Sequence, residues 1–245
     1  MVRPRGPPGP PTGELIMLWQ EDDRPAEALD RSRVVDLHFA VEGRTLPVDH
    51  AHALGQAVLK RVPWLADEPE GAIHSIHLAG SQNGWERPDP SQGQELILSR
   101  RTRMWIRVPR RRAAELEQAL RGHTLDVLGH SLTLGRARPY PLSDRTTLFA
   151  RYVAGPGGDD EDLFLEWVAE ELSRLGIEIR KALCGKRQDL DTPEGPLITR
   201  SLLVAELRPA AALRLQERGL GPHRMMGCGI FLPHKGITPV KSKDD

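Results

Sequence analysis

The chain has 245 residues, of which 34 are basic and 34 acidic, so its formal net charge is zero. A neutral chain offers no overall attraction to nucleic acid, so such binding would depend on local clusters of basic residues. Its two cysteines, Cys184 and Cys228, form no CxxC pair, which argues against a disulfide framework or a zinc site and favours the cytoplasm. No apolar run approaches the ~20 residues that a membrane-spanning helix needs.

The first half of the chain predicts one α/β unit behind an unstructured arm. Residues 1–32 are rich in proline and glycine, a composition typical of disorder. The elements expected next are, in chain order, a strand at 34–43, a helix capped by Asp49 and closed by Pro63, a strand at 72–80, one long strand or a tight hairpin at 95–109, a helix at 110–120 and a hairpin about Gly129. The order β-α-β-β-α-β over 33–140 is that of a ferredoxin-like unit.

The second half repeats this pattern without repeating its sequence. The elements expected are a strand at 147–155, a helix at 159–175 ended by Gly176, strands at 177–183 and 196–207, a helix that begins at Pro209 and stops at Gly219, and a strand at 228–233. The sequence therefore predicts an α+β fold of two tandem ferredoxin-like (RRM-like) units. They comprise 33–140 and 146–237, with a glycine-rich loop at 219–229 in the second and a tail at 238–245.

The glycine-rich stretch GLGPHRMMGCGIFLP has the first candidate binding residues. Its four glycines allow positive φ angles and close approach of the backbone to a ligand, and successive amides in such turns can bind anions. A Walker loop follows a strand and precedes a helix, whereas this stretch follows the end of a helix and no helix begins after it. The stretch therefore favours binding of an RNA backbone over a mononucleotide. The alternative is a connection that only turns the chain. The candidate residues are Gly219, Gly221, Gly227 and Gly229, with His223, Arg224 and Lys235 as nearby cations.

An arginine-rich stretch, SRRTRMWIRVPRRR, occupies residues 99–112. On an alternating strand Arg101, Arg103 and Arg107 would share one face. The run 110–112 falls in the first turn of a helix, where positive charge opposes the helix dipole unless an anion is bound. Arginine binds phosphate through two parallel hydrogen bonds, so an RNA contact is a reasonable interpretation, and a solvated charge run is the alternative. The candidates for RNA binding are Arg100, Arg101, Arg103, Arg110 and Arg111.

Histidines supply the candidates for catalysis. His50 and His52 stand at the start of the first helix, and His74 and His77 lie on the next strand, so these side chains could converge. The positive end of a helix disfavours imidazolium, which would leave His50 or His52 neutral and able to act as a general base. Ordinary polar histidines are the alternative. Because residues i and i+2 face apart on a helix, the pair is a poor metal site, and neither a metal nor a cofactor is expected.

Taken together, these segments resemble one family, the CRISPR repeat-RNA processing endoribonucleases. The resemblance covers residues 33 to about 235 and rests on VVDLHFAVEGRTLP followed by DHAHALGQAVLKRVPWL, on AIHSIHLAG, on LSRRTRMWIRVP, and above all on RLQERGLGPHRMMGCGIFLP. The last segment looks like the C-terminal glycine-rich loop of the family, in the form that carries MGCG.

The resemblance implies metal-independent cleavage of precursor CRISPR RNA within its repeats. The ribose 2′-OH attacks the adjacent phosphate, which leaves a 2′,3′-cyclic phosphate and a 5′-OH, with a histidine as general base. His50 in LPVDH matches the histidine of the MGCG variant and is therefore the expected general base. His52 stands where that variant tends to carry tyrosine, and His74, which lies where other branches place theirs, is the reserve candidate. The implied partners are repeat RNA, as precursor and mature guide, and other effector-complex subunits. Two alternatives stay open: a non-catalytic guide-RNA-binding subunit, and a small-molecule or nucleotide-binding regulator.

Overall fold

The computed structural model describes residues 32–77 and 95–234. The predicted arm lies outside them except for Ser32, as do the tail at 238–245 and Lys235. The described strands are β1 Val34–Glu42, β2 Thr45–Pro47, β3 Ala72–Ile73, β4 Glu95–Ile97, β5 Arg103–Pro109, β6 Thr124–Val127, β7 His130–Pro141, β8 Leu148–Ala154, β9 Lys181–Leu190, β10 Leu197–Ala205 and β11 Leu232–Pro233. The α-helices are α1 Ala51–Leu59, α2 Ala113–Leu120, α3 Glu161–Arg174 and α4 Pro209–Arg218.

The first unit is a five-stranded antiparallel sheet with the strand order β3-β5-β1-β7-β6. Apolar residues alternate along β1, so that Leu37, Phe39 and Val41 point to one face and join the core with Leu54 of α1 and Leu116 of α2. The opposite face, which we call the outer face, carries the polar and aromatic residues between them. Strands β3, β5, β1 and β7 occupy the positions 2-3-1-4 of a ferredoxin-like sheet.

The second unit has a four-stranded antiparallel sheet with the order β11-β8-β10-β9, which is the ferredoxin-like order 4-1-3-2. Helices α3 and α4 pack against it through Phe164, Val168 and Leu215. The first turn of α3 is held by Asp160, whose carboxylate accepts from the amides of Asp162 and Leu163. The predicted α+β fold class, with two tandem ferredoxin-like units, is therefore confirmed.

Several predicted elements are shorter than expected or begin elsewhere. The segment 95–109 is neither one strand nor a hairpin, because β4 pairs with β2 in a separate two-stranded sheet, and a turn closed by Thr102 precedes β5. Within the described part of the strand expected at 72–80, β3 spans only Ala72–Ile73, and residues 78–80 lie outside the described ranges. The strand expected at 177–183 begins only at Lys181, and the last strand is Leu232–Pro233. Near these strands, the amide of Ile76 donates to the His50 ring, that of Ile177 to the carbonyl of Leu172, and that of Cys228 to the carbonyl of His223.

The prediction that Asp49 caps α1 is wrong. The residue at the N-cap position is His50, and its side chain makes no capping hydrogen bond. The Asp49 carboxylate instead accepts a hydrogen bond of 2.6 Å from the backbone amide of Asp191 in the second unit. In the described ranges, no helix has the length and apolar character needed to cross a bilayer.

Candidate functional site

The two units meet at a junction that contains most of the candidate residues. The start of α1 packs on the second sheet, where Ala51 lies in a buried cluster with Tyr152, Ala154, Leu190 and Cys228. Beside it, the 3₁₀ turn Arg224–Met226 of the glycine-rich loop contacts both α1 and β3. Sequence reasoning placed the loop and the histidines in separate units, and the fold brings them together.

The glycines of this loop allow close approach, but to the chain itself. A Cβ on Gly227, which has a φ of +85°, would meet Ser75 of the first unit. Gly55 of α1 allows the loop to approach the helix closely, because a Cβ there would meet the carbonyl of Met225. The amides of Gly227, Cys228 and Gly229 donate to carbonyls of the same unit, so they form no open anion-binding nest. The geometry supports a brace between the units, and RNA contact by these glycines stays a prediction.

The loop's cations divide between the junction and solvent. The Arg224 guanidinium donates to the carbonyls of Glu217 and Arg218 at the end of α4 and to that of Pro69 in the first unit at 3.3 Å. Burial, followed by repulsion from Arg107, lowers the pKa of Arg224 to about 10. This side chain therefore spans the junction, whereas His223 is exposed in a left-handed conformation.

A buried ion pair ties the outer face of the first sheet to the second unit. Arg107 is 0% exposed and donates to both carboxylate oxygens of Asp36 at 2.8 Å. It also donates to the carbonyl of Gln216 at 2.7 Å and to that of Phe231 at 3.4 Å. Arg103 and Arg107 share one face of β5, as the alternation predicts, whereas Arg101 precedes the strand. The second unit covers Arg107, so it is not available to RNA. Burial raises the pKa of the Asp36 carboxyl, but Arg107 and His74 more than offset this and hold it well below its usual range.

His74 lies against the same carboxylate. Its backbone amide donates to Trp105 in β5, and its Nε2 lies 3.3 Å from an Asp36 oxygen. Because ionised Asp36 can only accept, the proton of neutral His74 sits on Nε2 and the lone pair on Nδ1. Burial lowers the pKa of His74, and the attraction of Asp36 reverses this only in part. The arrangement is that of a neutral imidazole held in one tautomer by a carboxylate, which is the geometry of an oriented general base.

His50 is engaged at both ring nitrogens. Its Nδ1 donates to the carbonyl of Pro47 at 2.9 Å, and its Nε2 accepts from the amide of Ile76 at 3.0 Å. The residue is 2% exposed. It has no spare lone pair for a substrate proton, although it fixes the segment that carries His74. His52, two residues later, is partly exposed, but its Nδ1 is buried and has no hydrogen-bond partner among the described residues.

The arginine run at the start of α2 is neutralised by the chain's own acidic groups. Arg111 pairs with Glu68 at 3.2 Å, and Arg112 pairs with Glu115 at 2.7 Å while it lies 3.5 Å above the Trp64 ring. Arg110 donates to the carbonyl of Ser32 at 3.4 Å. These internal partners offset the unfavourable effect of positive charge at a helix start. Arg100 and Arg101 are instead exposed in the turn before β5, and Arg103 is exposed at the first position of that strand.

Sequence reasoning missed Asp36 and a row of rings formed by His38, Trp105 and Tyr140. Both lie on the outer face, at alternate positions of β1, β5 and β7. The sequence did contain a signal for them. Polar and aromatic residues occupy every second position of strands that are otherwise apolar. Within the described ranges, no three His, Cys, Asp or Glu side chains are grouped as a metal site.

Comparisons with known proteins agree with this architecture. A family model described as "Cas6 Crispr" matches residues 35–236. The "CRISPR-associated endonuclease Cas6" of Myxococcus xanthus (strain DK1622) is 30% identical over 208 residues, which is 85% of each chain. The solved structure "CRISPR associated protein Cas6" has a TM-score of 0.54 at 11% identity and covers 82% of this chain and 100% of its own. A Cas6-related protein from Pyrococcus furiosus has a TM-score of 0.54 at 12% identity, covering 81% and 97%. At these identities the two structures support the fold alone.

Proposed function

The chain belongs to the Cas6 family, and we propose that it is an endoribonuclease that cleaves precursor CRISPR RNA within its repeats. The relative from Myxococcus xanthus bears the name of an endonuclease and spans the same length of chain, which supports the reaction class. The observation that supports the mechanism is the Asp36–His74 pair at the junction, because it supplies a neutral, oriented base. The cytoplasmic location expected from the sequence is part of this proposal.

The proposed reaction needs no metal ion and begins at the ribose 2′-OH next to the scissile phosphate. Nδ1 of His74 takes the 2′ proton while the 2′ oxygen attacks phosphorus, and the bond from phosphorus to the 5′ oxygen breaks. The 5′ oxygen takes up a proton from solvent, so the products carry a 2′,3′-cyclic phosphate and a 5′-OH. General-base catalysis of this kind contributes typically 10²–10⁴-fold to the rate.

The three candidate histidines have different roles in this proposal. His74 is the catalytic base, because its Nδ1 is the ring nitrogen left free by Asp36. His50 is a positioning residue, since it holds the amide of Ile76 and thereby the segment that carries His74. His52 is the second candidate for proton transfer, because its side chain is partly exposed at the start of α1.

The test is cleavage of a labelled repeat RNA from the protein's own locus in excess EDTA, beside a copy with one 2′-deoxy sugar at the cut. We expect the first RNA to be cut and the second to be spared. In single-turnover reactions, H74Q should slow cleavage by about 10²–10⁴-fold. H123Q, in the turn after α2, is the matched control and should cut at the wild-type rate. Cleavage of the 2′-deoxy RNA, or full activity of H74Q, would contradict the mechanism.

The alternative is a subunit that holds processed guide RNA without cutting it, with other effector-complex subunits as partners. One observation favours it: His50 and His74 are only 2% and 7% exposed, so substrate access to either ring is narrow. Tight binding of the repeat RNA with no cleavage under any of these conditions would establish this function instead.

A further inference from the structure

Three rings from neighbouring strands are stacked on the outer face of the first sheet, and we call them the ring row. His38 of β1 lies between Trp105 of β5, at a centroid distance of 4.1 Å and an interplanar angle of 5°, and Tyr140 of β7, at 4.0 Å and 20°. Rings this close cannot lie side by side in one plane, so they stand upright on the sheet. At its inner end, Trp105 meets the edge of His74 at 5.6 Å.

The outer end of the row is open. Tyr140 is 45% exposed, although one face of its ring is covered by His38. The neighbouring strand β6 pairs with β7 only at residues 130–133, so no described strand flanks Tyr140 on that side. One face of an aromatic ring is therefore available beside a preformed stack.

The open part of this face is positively charged. Arg138 is the register partner of His38, and Arg103 is the register partner of Ala40, so both point to the same face as the row. Arg136 precedes Arg138 by two positions, and all three arginines are exposed. Glu42, at the far end of β1, is the one exposed carboxylate among the described residues of β1, β5 and β7. The local balance of charge thus favours a polyanion.

We propose that the outer end of the ring row is a stacking site for an unpaired base of single-stranded RNA. The base continues the row on the free face of Tyr140, and Arg138 and Arg103 contact the flanking phosphates. A single exposed ring suits a base that has left its helix, because bases within a duplex already stack on their neighbours. This inference rests on the proposed function, since it takes RNA as the ligand, and it places an unpaired segment on the sheet face that leads to His74.

The neutral state of the row fits this role. Burial lowers the pKa of His38 to about 4, so the central ring is uncharged at neutral pH. Stacking on neutral rings tolerates any base, whereas the arginines supply affinity that depends on salt.

The test uses the full chain and a fluorescein-labelled ten-residue oligoadenylate, with affinity measured by anisotropy at several salt concentrations. Y140A should bind at least ~5-fold more weakly, because loss of one base–aromatic stack is worth that much. Y140F keeps the ring and should bind as the wild type does. R138Q should reduce the slope of log K against log salt concentration by about one, as expected for the loss of one phosphate contact. R121Q, at the end of α2, is the matched arginine control.

Equal affinity of Y140A and wild type, or no measurable binding of the oligomer by wild type, would overturn the stacking site. Cleavage of the repeat RNA by the wild type reports separately on the proposed function. If the wild type fails to cut but Y140A still weakens binding, the stacking site stands and the nuclease fails. If the wild type cuts and Y140A binds normally, the nuclease function stands and the stacking site fails. Photocrosslinking of 4-thiouridine RNA to the peptide that contains Tyr140 is a second readout, independent of affinity.

Discussion

The outer face of the first sheet has two ends that carry the same residue types and behave differently. At the covered end, Arg107 and Asp36 are buried by the second unit, and every hydrogen bond of the guanidinium goes to protein. At the open end, Arg103 and Arg138 are exposed beside the ring row. Arg103 and Arg107 lie four residues apart on one strand, so their surroundings, and not the sequence pattern, decide which arginine is structural.

The two ends also have different roles in the proposal: the covered end orients the catalytic histidine, and the open end binds RNA. The covered end fixes Asp36, which in turn fixes the tautomer of His74. At the open end, Arg103 donates to the carbonyls of Arg100 and Thr102 in the preceding turn and stays exposed, so its guanidinium suits a ligand whose sequence can vary. A site that must place one proton acceptor and also accept a flexible polymer would need both kinds of surface.

The largest effect is expected from breaking the covered end. R107M removes the partner of a buried carboxylate and should cost about 3–5 kcal/mol of folding free energy, or roughly 10 °C in melting temperature. R103M, on the same strand at the open end, should change stability by less than about 0.5 kcal/mol. Thermal unfolding of the two variants beside the wild type measures both.

The matching double variant D36L/R107M tests the reason for that loss. Replacement of both charges by apolar side chains should restore most of the stability, because no buried charge is left alone. Cleavage should stay slow, since His74 then has no carboxylate to orient it. A double variant as unstable as R107M would contradict the electrostatic explanation.

The next effect concerns the brace between the units. Gly227 and Gly122 both have positive φ, +85° and +80°, but a Cβ would meet Ser75 at Gly227 and nothing within 4 Å at Gly122. G122A should therefore cost about 1 kcal/mol for backbone strain alone, and G227A a further ~1–3 kcal/mol for crowding. Denaturant unfolding of both variants gives the difference. Unchanged stability of G227A together with weaker RNA binding would instead assign the glycine to RNA.

The fold was predictable because its signals are local. The alternation of apolar residues in β1, the acidic start of α3, and Pro209 and Gly219 at the two ends of α4 each follow from short-range chemistry. Errors arose where a distant partner decides the outcome. Asp49 is a good capping residue by type, yet Asp191, 142 positions away, takes its carboxylate.

The site was only partly predictable for the same reason. The sequence favoured His50 as the base and kept His74 in reserve. Our proposal reverses that order because of contacts with Ile76 and Asp36 that no sequence spacing reveals. The arginines at 110–112 look like a phosphate site until Glu68 and Glu115 are seen beside them. A cluster of like charges in sequence says little until the fold supplies its counter-charges.

The smallest expected effect is a shift in the pH dependence of cleavage. Its comparison with the pH dependence of RNA binding distinguishes the covered end from the open end. Burial lowers the pKa of His74 from the ordinary 6.5, opposed by Asp36 and assisted by Arg107 and Arg224. A general base must be deprotonated, so a lower pKa moves the acid limb of the profile to lower pH. With RNA below saturation, the cleavage rate constant should fall to half of its plateau value only at a pH below 6.5.

RNA affinity supplies the comparison for the open end. The pKa of His38 is lowered to about 4, so its ring stays neutral and oligoadenylate binding should be level from pH 8 to pH 5, while cleavage falls. A cleavage midpoint above 6.5 would contradict a base with a lowered pKa and would remove His74 from that role. Parallel loss of binding and cleavage as the pH falls would instead show that protonation at the open end controls both.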